Sequence, residues 1–413
     1  MKSVYIFYPS NIVGGAEYLL KRAAEILSSK YSVCIIDKSD GWISSNINGF
    51  YKNRIKVKLF DGKKIKLEDE SVILTASSLL FEFDNYFEKG SANVLLWTMQ
   101  PHNLIPSISR LHLHKKSVLD ISYYANELLM YKLRRSCIKF LKAAYSKASI
   151  YSMDEECDRV LNKYYKINHN GYLPVFVKLN NSLPIVKKVD LTESLKLLWI
   201  GRIDLTFKIH IILKLIKDLD FFSESSSIPV EFNIIGDGPG LSILEEVISG
   251  VTNLKVNLMG SKDEKGMSSL INNSHIGFAM GTSALEMGGR GLPTILLDFS
   301  YKEISYNYKY KLICESSGYM IGRCIDDFSE FEKNDGTLLN ELIPAIINDY
   351  DYLSHKCREY VIQNHSNENT KIKLIDAIDG TALTMTECLS FAEDNRPLWR
   401  TLLRWFKRRL TVG

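Results

Sequence analysis

Short apolar runs of β-branched residues alternate with longer stretches of helical period, and this alternation occurs twice along the chain. Ser3–Tyr8 is a β-rich run ended by the loop Pro9–Gly15. Ala16, Leu19, Leu20, Ala23, Ala24 and Leu27 then recur at helical spacing, and Ser32–Asp37 returns as a strand. Strand, helix and strand in so short a stretch make a βαβ unit, whose two strands lie parallel with a right-handed crossover. Further strand candidates are Val72–Leu74, Val94–Thr98 and Ser149–Ser152, with a helical stretch over Leu128–Ala144. Across 170–195 the pattern breaks, and Gly171, Pro174, Asn180, Asn181, Pro184, Lys187 and Lys188 read as a linker. It restarts as strands at Lys196–Ile200, Val230–Ile235, Lys255–Met259, Ile276–Met280 and Thr294–Asp298. Helices are expected between them at Ile209–Leu219, Leu241–Ile248, Met267–Asn272 and Ala284–Arg290. The prediction is two doubly wound α/β domains, residues 1–185 and 186–375, followed by a helical tail over 376–413.

The chain has 413 residues, 46% hydrophobic and 24% charged, enough for two sizeable cores and unlike a disordered, collagen-like or disulfide-stapled chain. No apolar run approaches the roughly 18 residues of a membrane-spanning helix, and the N-terminus does not read as a signal peptide. Seven scattered cysteines without a CxxC pair suit free thiols in a reducing cytoplasm. The net charge is +4, yet the stretch from Arg396 to Gly413 alone holds six cations and no acid, leaving −2 for the rest. A nucleic-acid-binding surface is therefore not expected, and the tail reads as the one charged anomaly. Within it, residues 397–410 fit an amphipathic helix. Trp399, Leu402, Leu403, Phe406 and Leu410 share one face, and Arg400, Arg404, Lys407 and Arg408 lie mainly on the other. Such a helix docks on an anionic membrane or packs back on the first domain.

Several loops fall where an α/β sheet presents ligands, after the strands. Gly14-Gly15-Ala16-Glu17 opens the first helix, where glycines let backbone N–H groups approach an anion. A flexible turn with a favourable N-terminal Glu17 explains it equally well. Gly201-Arg202-Ile203-Asp204 follows a strand, with Lys208 six residues past the arginine. Arg and Lys there clamp a diphosphate, or form a solvated surface pair. Gly236-Asp237-Gly238-Pro239-Gly240 lacks the glycine at 241 that a dinucleotide fingerprint requires, and a tight turn accounts for it. Gly281, Thr282 and Ser283 offer N–H and hydroxyl donors at a helix start. Glu286 follows one turn later, placed to accept hydrogen bonds from vicinal sugar hydroxyls or simply to favour the helix N-terminus. In the first half, His102 follows a strand and is suited to polarising a hydroxyl or to capping backbone groups. Asp218-Leu219-Asp220 matches a metal-binding DxD but sits in a helical stretch and reads as chance.

In this order and spacing the loops resemble those of glycosyltransferase family four: a GGAE-like first loop, a GR…K segment, a GDGP turn, and Glu286 seven residues before the proline of Gly291-Leu292-Pro293. The resemblance implies a GT-B fold, two Rossmann-like domains facing a central cleft. It places Arg202 and Lys208 on the donor diphosphate, Gly281, Thr282 and Ser283 on donor phosphate or sugar, and Glu286 on the ribose. Gly14, Gly15 and Gly236 join this donor-binding set, and His102 is the catalytic candidate. The implied activity is transfer of a sugar from a nucleotide-sugar donor to a glycan or lipid-linked hydroxyl in bacterial surface polysaccharide assembly. It is cytoplasmic, peripheral on the membrane, and without metal, cofactor or nucleic acid. Two departures are visible: Phe278 stands where the family usually carries a second glutamate that touches the donor sugar, and the Arg-to-Lys spacing is one residue longer. The alternatives are a non-catalytic nucleotide-sugar or glycan-binding protein of the same fold, and a dinucleotide-dependent oxidoreductase.

Overall fold

The computed structural model describes the chain apart from residues 12–13, 102, 105–130, 168–170, 180–193, 305–306, 326–335 and 396–413. His102 and the segment 397–410 thus lie outside the described residues. The chain divides into two compact units, Met1–Pro174 with Thr370–Gly413, and Val175–Asn369.

The first unit contains β1 (Ser3–Phe7), α1 (Gly15–Leu27), β2 (Ser32–Asp37), α2 (Trp42–Ser45), β3 (Ile55–Leu59), β4 (Val72–Ala76), β5 (Asn93–Thr98), α3 (Tyr131–Ser146), β6 (Ile150–Ser152) and α4 (Glu155–Tyr165). Its six strands are parallel, in the order β3-β2-β1-β4-β5-β6. The expected strands appear within two residues of their predicted ends. The strand that sequence reading passed over is β3, whose lysines at 56 and 58 interrupt its apolar signal.

The second unit repeats the winding with β7 (Leu195–Ile200), α5 (Lys208–Ser225), β8 (Val230–Ile235), α6 (Leu241–Ser249), β9 (Lys255–Gly260), α7 (Glu264–Asn272), β10 (Ile276–Ala279), α8 (Thr282–Gly289), β11 (Thr294–Leu296) and β12 (Lys311–Leu312). Helices α9 (Leu339–Asn348) and α10 (Tyr350–His365) follow. The order is β12-β11-β10-β7-β8-β9, parallel except for the antiparallel pair β11–β12. Covered on both faces, the central strands are strongly apolar: Leu197, Leu198, Trp199, Ile276, Phe278 and Ile295 are all buried.

The changeover back to the first unit falls in the first turn of α11 (Asn367–Gly380). Against the expectation of a separate tail over 376–413, the chain from Thr381 to Asp394 is built into the first core. Thr381 Oγ1 donates to the Val94 carbonyl (2.9 Å), and Val94 N–H donates to the Leu383 carbonyl (2.7 Å). Helix α12 (Met385–Asp394) starts with a Thr384/Glu387 capping box and stacks Phe391 on Phe140, centroids 4.3 Å apart. Its Leu389 and Cys388 lie in the same cluster as Phe87 and Leu96.

Candidate functional site

In the second unit the chain runs from β7 outward through β8 to β9, then returns to β10 on the other side of β7. The carboxyl ends of β7 and β10 therefore diverge around a crevice, the place where open α/β sheets bind ligands. The loops that follow these two strands hold Arg202 through Lys208 and Gly281 through Ser283.

The first loop is held rigidly, and the glycine-rich turn after β8 does the holding. Gly201 N–H donates to the Ile235 carbonyl (3.0 Å), Ile203 N–H to Asp237 (3.0 Å), and Gly240 N–H back to Ile203 (3.1 Å). This backbone lacing leaves no room for side chains. A Cβ on Gly236, at φ +152°, would sit 1.9 Å from the Gly201 carbonyl oxygen, and one on Gly238, at φ +150°, would sit 2.2 Å from that of Ile203. Gly236 N–H is already given to the Gly260 carbonyl (3.1 Å). The turn thus shapes the neighbouring loop, and Gly236 has no N–H left for a ligand.

Buried Asp204 finishes the loop by holding the turn that leads into α5. Its Oδ1 accepts from the N–H groups of Thr206 (3.0 Å) and Phe207 (2.9 Å) and from the Thr206 hydroxyl (2.7 Å). Burial alone would push its carboxyl up; these bonds more than offset it and hold Asp204 below the usual carboxylate range. The anchored loop presents Arg202 exposed and Lys208 half-buried at the start of α5. Burial lowers Lys208, nearby Asp204 opposes this, and Arg202 adds to the lowering. Among the described residues no ion pair engages either cation. An anion bridging the two would relieve their mutual repulsion.

Across the crevice, Gly281 stands at φ +68° as the N-cap of α8, with open space where a Cβ would be. Its own N–H is spent on the Ile321 carbonyl (2.7 Å). Thr282 and Ser283, in the first turn of α8, leave backbone N–H groups and hydroxyls at the helix start. Glu286 lies one turn on, half-buried. The structure thus places Arg202 and Lys208, and Gly281, Thr282, Ser283 and Glu286, on the loops and helix starts that follow the neighbouring strands β7 and β10.

Gly14 and Gly15 belong to the first unit, at the start of α1. Gly14 has extended backbone, and the buried Glu17 carboxylate folds back to 2.9 Å from where its Cβ would stand. A carboxylate from the chain itself lies over that helix end. Phe278 lies inside β10, paired with Trp199 and Ile295, fully buried and edge-on to Phe232. The comparable position in this chain is therefore a core position and cannot touch a ligand.

No protein-family model and no curated protein matches the sequence. Solved structures do match. The lipopolysaccharide outer core galactosyltransferase WaaB in its apo form superposes with a TM-score of 0.52 at 11% identity, over 92% of this chain and 99% of that one. A glycosyltransferase from Rickettsia africae ESF-5 gives 0.52 at 12%, over 92% and 98%. Anabaena Alr3699/HepE in complex with UDP and glucose gives 0.50 at 11%, over 92% and 99%. The chain has the GT-B fold.

Within this GT-B chain, a buried group with no local sequence signal ties the end of β11 to a distant loop. Gly322, at φ +122°, packs under Met280 and the Leu297 carbonyl, and Arg323 donates to Asp298 through its N–H (3.0 Å) and Nε (3.4 Å). Tyr308 also donates to Asp298 (3.1 Å). Arg323 Nη2 is buried without a hydrogen-bond partner among the described residues. A lone Gly-Arg pair in a loop gives no local signal of this placement. Asp218 and Asp220 have structural partners: Asp218 accepts from Tyr310 (2.7 Å) and pairs with Lys214, and Asp220 caps the Asn253 and Leu254 N–H groups. Among the described residues no group of three His, Cys, Asp or Glu is placed to hold a metal ion.

Proposed function

We propose that this chain is a glycosyltransferase that takes a sugar from a nucleotide diphosphate donor and passes it to a hydroxyl acceptor. The observation that carries this reading is the cation pair Arg202 and Lys208 beside the α8 N-terminus at the switch point of the second sheet. The arrangement matches what a departing diphosphate needs: a guanidinium fork, a point charge, and oriented N–H groups. In the reaction the acceptor oxygen bonds to the anomeric carbon as the bond from that carbon to the diphosphate breaks. The hydroxyl proton passes to a base, for which His102 is the candidate. Most of the barrier reduction would come from stabilising the charge that develops on the diphosphate. Glu286 would hold the ribose hydroxyls.

WaaB is described as a lipopolysaccharide galactosyltransferase and HepE holds UDP and glucose. The second supports a UDP-sugar donor and the first a surface-glycan or lipid-linked acceptor; a bacterial cytoplasm completes the same proposal. We extend the proposal to a reaction without metal or cofactor, and to peripheral membrane contact through 397–410. Burial of Phe278 favours one second reading: lacking a carboxylate there, the protein binds nucleotide sugars without transferring them.

Calorimetry with UDP and UDP-sugars tests the binding. Arg202→Ala should weaken UDP by about 1.5–3 kcal/mol, roughly 10- to 100-fold, with the melting temperature little changed. Equal UDP affinity in the variant, or a broad loss of stability, removes Arg202 from the donor site. Donor hydrolysis or transfer by the purified protein decides between enzyme and binding protein.

A pH series probes Lys208. Burial holds its pKa below the ordinary lysine value, so its positive charge is lost earlier as pH rises than that of an ordinary lysine. UDP affinity should therefore decline as pH rises toward the ordinary lysine range of ~10.4. Lys208→Arg should flatten that decline, and a wild-type affinity constant across the range would take Lys208 out of contact with the diphosphate.

A further inference from the structure

Strand β3 forms one edge of the first sheet, and around it lies a surface that the donor chemistry does not use. Between Phe50 and Lys66 the chain carries seven cations, Lys52, Arg54, Lys56, Lys58, Lys63, Lys64 and Lys66, against the single acid Asp61. All seven are exposed. Among the described residues none of them forms an ion pair. This stretch is +6 and the tail +6, so the remainder of the chain is −8. The tail is therefore not the only charged anomaly.

The fold engages several of the acids near this charge. Glu68 accepts from Ser3 Oγ at the start of β1 (2.8 Å) and Asp69 bonds Ser91 just before β5, although Glu68 still acts with Lys56 and Lys58 on Cys34 of β2. Exposed Glu88 donates its N–H to the Ile65 carbonyl between Lys64 and Lys66 (2.9 Å), and exposed Asp61 accepts from the Lys63 N–H (3.0 Å). Glu25, the nearest acid of α1, is engaged by Lys21 and by the Asn48 N–H. Lys56 and Lys58, in register with Cys34 and Ile36, lie on one face of β3.

The opposite face is apolar and, past Ile55, about half exposed. Val57 and Leu59 follow Ile55 at period two, and while Ile55 is buried they are 44% and 55% exposed. Phe50 is 67% exposed with Arg54 over its ring. Lysines on an edge strand ordinarily serve to prevent strand-to-strand aggregation. That role gives no reason to expose Val57, Leu59 and Phe50 beside them. Cations interleaved with exposed aliphatic and aromatic side chains suit a bilayer interface, where head groups take the charge and the acyl boundary takes the apolar groups.

We propose that the β3 edge, from Phe50 to Lys66, is a docking surface for an anionic phospholipid membrane. The proposal is independent of the donor chemistry, because its readout is vesicle binding and not transfer.

Co-sedimentation of the full chain with phosphatidylglycerol-containing and pure phosphatidylcholine vesicles, at low and high salt, tests it. Binding should require the anionic lipid and fall with salt as charges become screened. Charge reversal at Lys56, Lys58, Lys63 and Lys64 should reduce anionic-vesicle binding at least ~10-fold, given the worth of each cation at such a surface. Phe50→Ser with Leu59→Ser should weaken vesicle binding while leaving retention on a soluble polyanion, heparin, unchanged. A parallel reversal of Arg400, Arg404, Lys407 and Arg408 separates the tail. Melting curves identify variants that fail to fold, and single reversals at Lys56 and at Lys63 then replace the fourfold change. The proposal is overturned if only the tail reversal abolishes binding. It is also overturned if phosphatidylcholine vesicles bind equally well, or if the apolar pair loses heparin and vesicles alike. Tighter binding to single-stranded nucleic acid than to vesicles would overturn it in favour of a nucleic-acid partner.

Discussion

Phe278→Glu should unfold the second unit, although it restores the residue type that the resembled family carries at that place. The ring is wholly buried in the middle of β10, flanked by Trp199 and Ile295 and edge-on to Phe232 at 6.1 Å. Removing a buried phenylalanine costs about 3–5 kcal/mol. A carboxylate there would be buried in the middle of the sheet beside Ile295 and Phe232; that burial adds several kcal/mol or forces protonation. Together these reach the ~5–15 kcal/mol that holds an ordinary domain folded. Thermal melts by circular dichroism should show loss of the cooperative transition, or one shifted down by tens of degrees. Phe278→Leu, similar in chemistry, should remain folded at a cost near ~1.5 kcal/mol. A well-folded Phe278→Glu protein with stronger UDP-sugar binding would show that position 278 reaches the donor after all.

Gly236→Ala should be nearly as damaging, for a reason of backbone geometry. The added methyl would stand 1.9 Å from the Gly201 oxygen and 3.0 Å from its carbon, and both belong to a backbone that cannot swing aside. The loops are joined by the Gly201, Ile203 and Gly240 hydrogen bonds, so relief requires breaking them. The φ of +152° adds strain of its own. The expected loss is about 4 kcal/mol or more, in the range reserved for named structural faults. Because Arg202 rides on the same loop, UDP affinity should fall with it. Gly62→Ala provides the control: φ is +89° there, but no atom lies within 4 Å of the new Cβ, so the cost should be only ~1–2 kcal/mol. Equal melting temperatures for the two variants would refute the lacing of the two loops.

Much of the second unit is legible in the sequence. Trp199 and Phe232 sit in apolar runs, and Arg202, Lys208 and Ser283 follow strand ends that the runs delimit, because burial on both faces makes a parallel strand continuously apolar. Position 278 shows where spacing misleads. Counting eight residues back from Glu286 assumes a loop of fixed length, whereas here β10 extends to Ala279 and only Met280 and Gly281 precede α8. Gly236 shows the same limit from the other side: a glycine-rich turn suggests phosphate, yet its glycines answer to the neighbouring loop's carbonyls. The charge around β3 stands in plain view as seven cations between Lys52 and Lys66, but a cation run carries no information about whether its acids fold beside it or away.

By itself the sequence determined most of the strands, many of the helices and the twice-repeated winding, because periodicity and loop chemistry are local properties of a few turns of chain. Only the tertiary structure decided that the strands before Arg202 and before the α8 start are neighbours, that Asp298 and Arg323 join the end of β11 to a distant loop, and that residues 381–394 complete the first core. Each of these depends on strand order, register and chain return across tens to hundreds of residues. Such pairings are selected by the burial of whole faces and the satisfaction of backbone groups, which no short window of sequence contains.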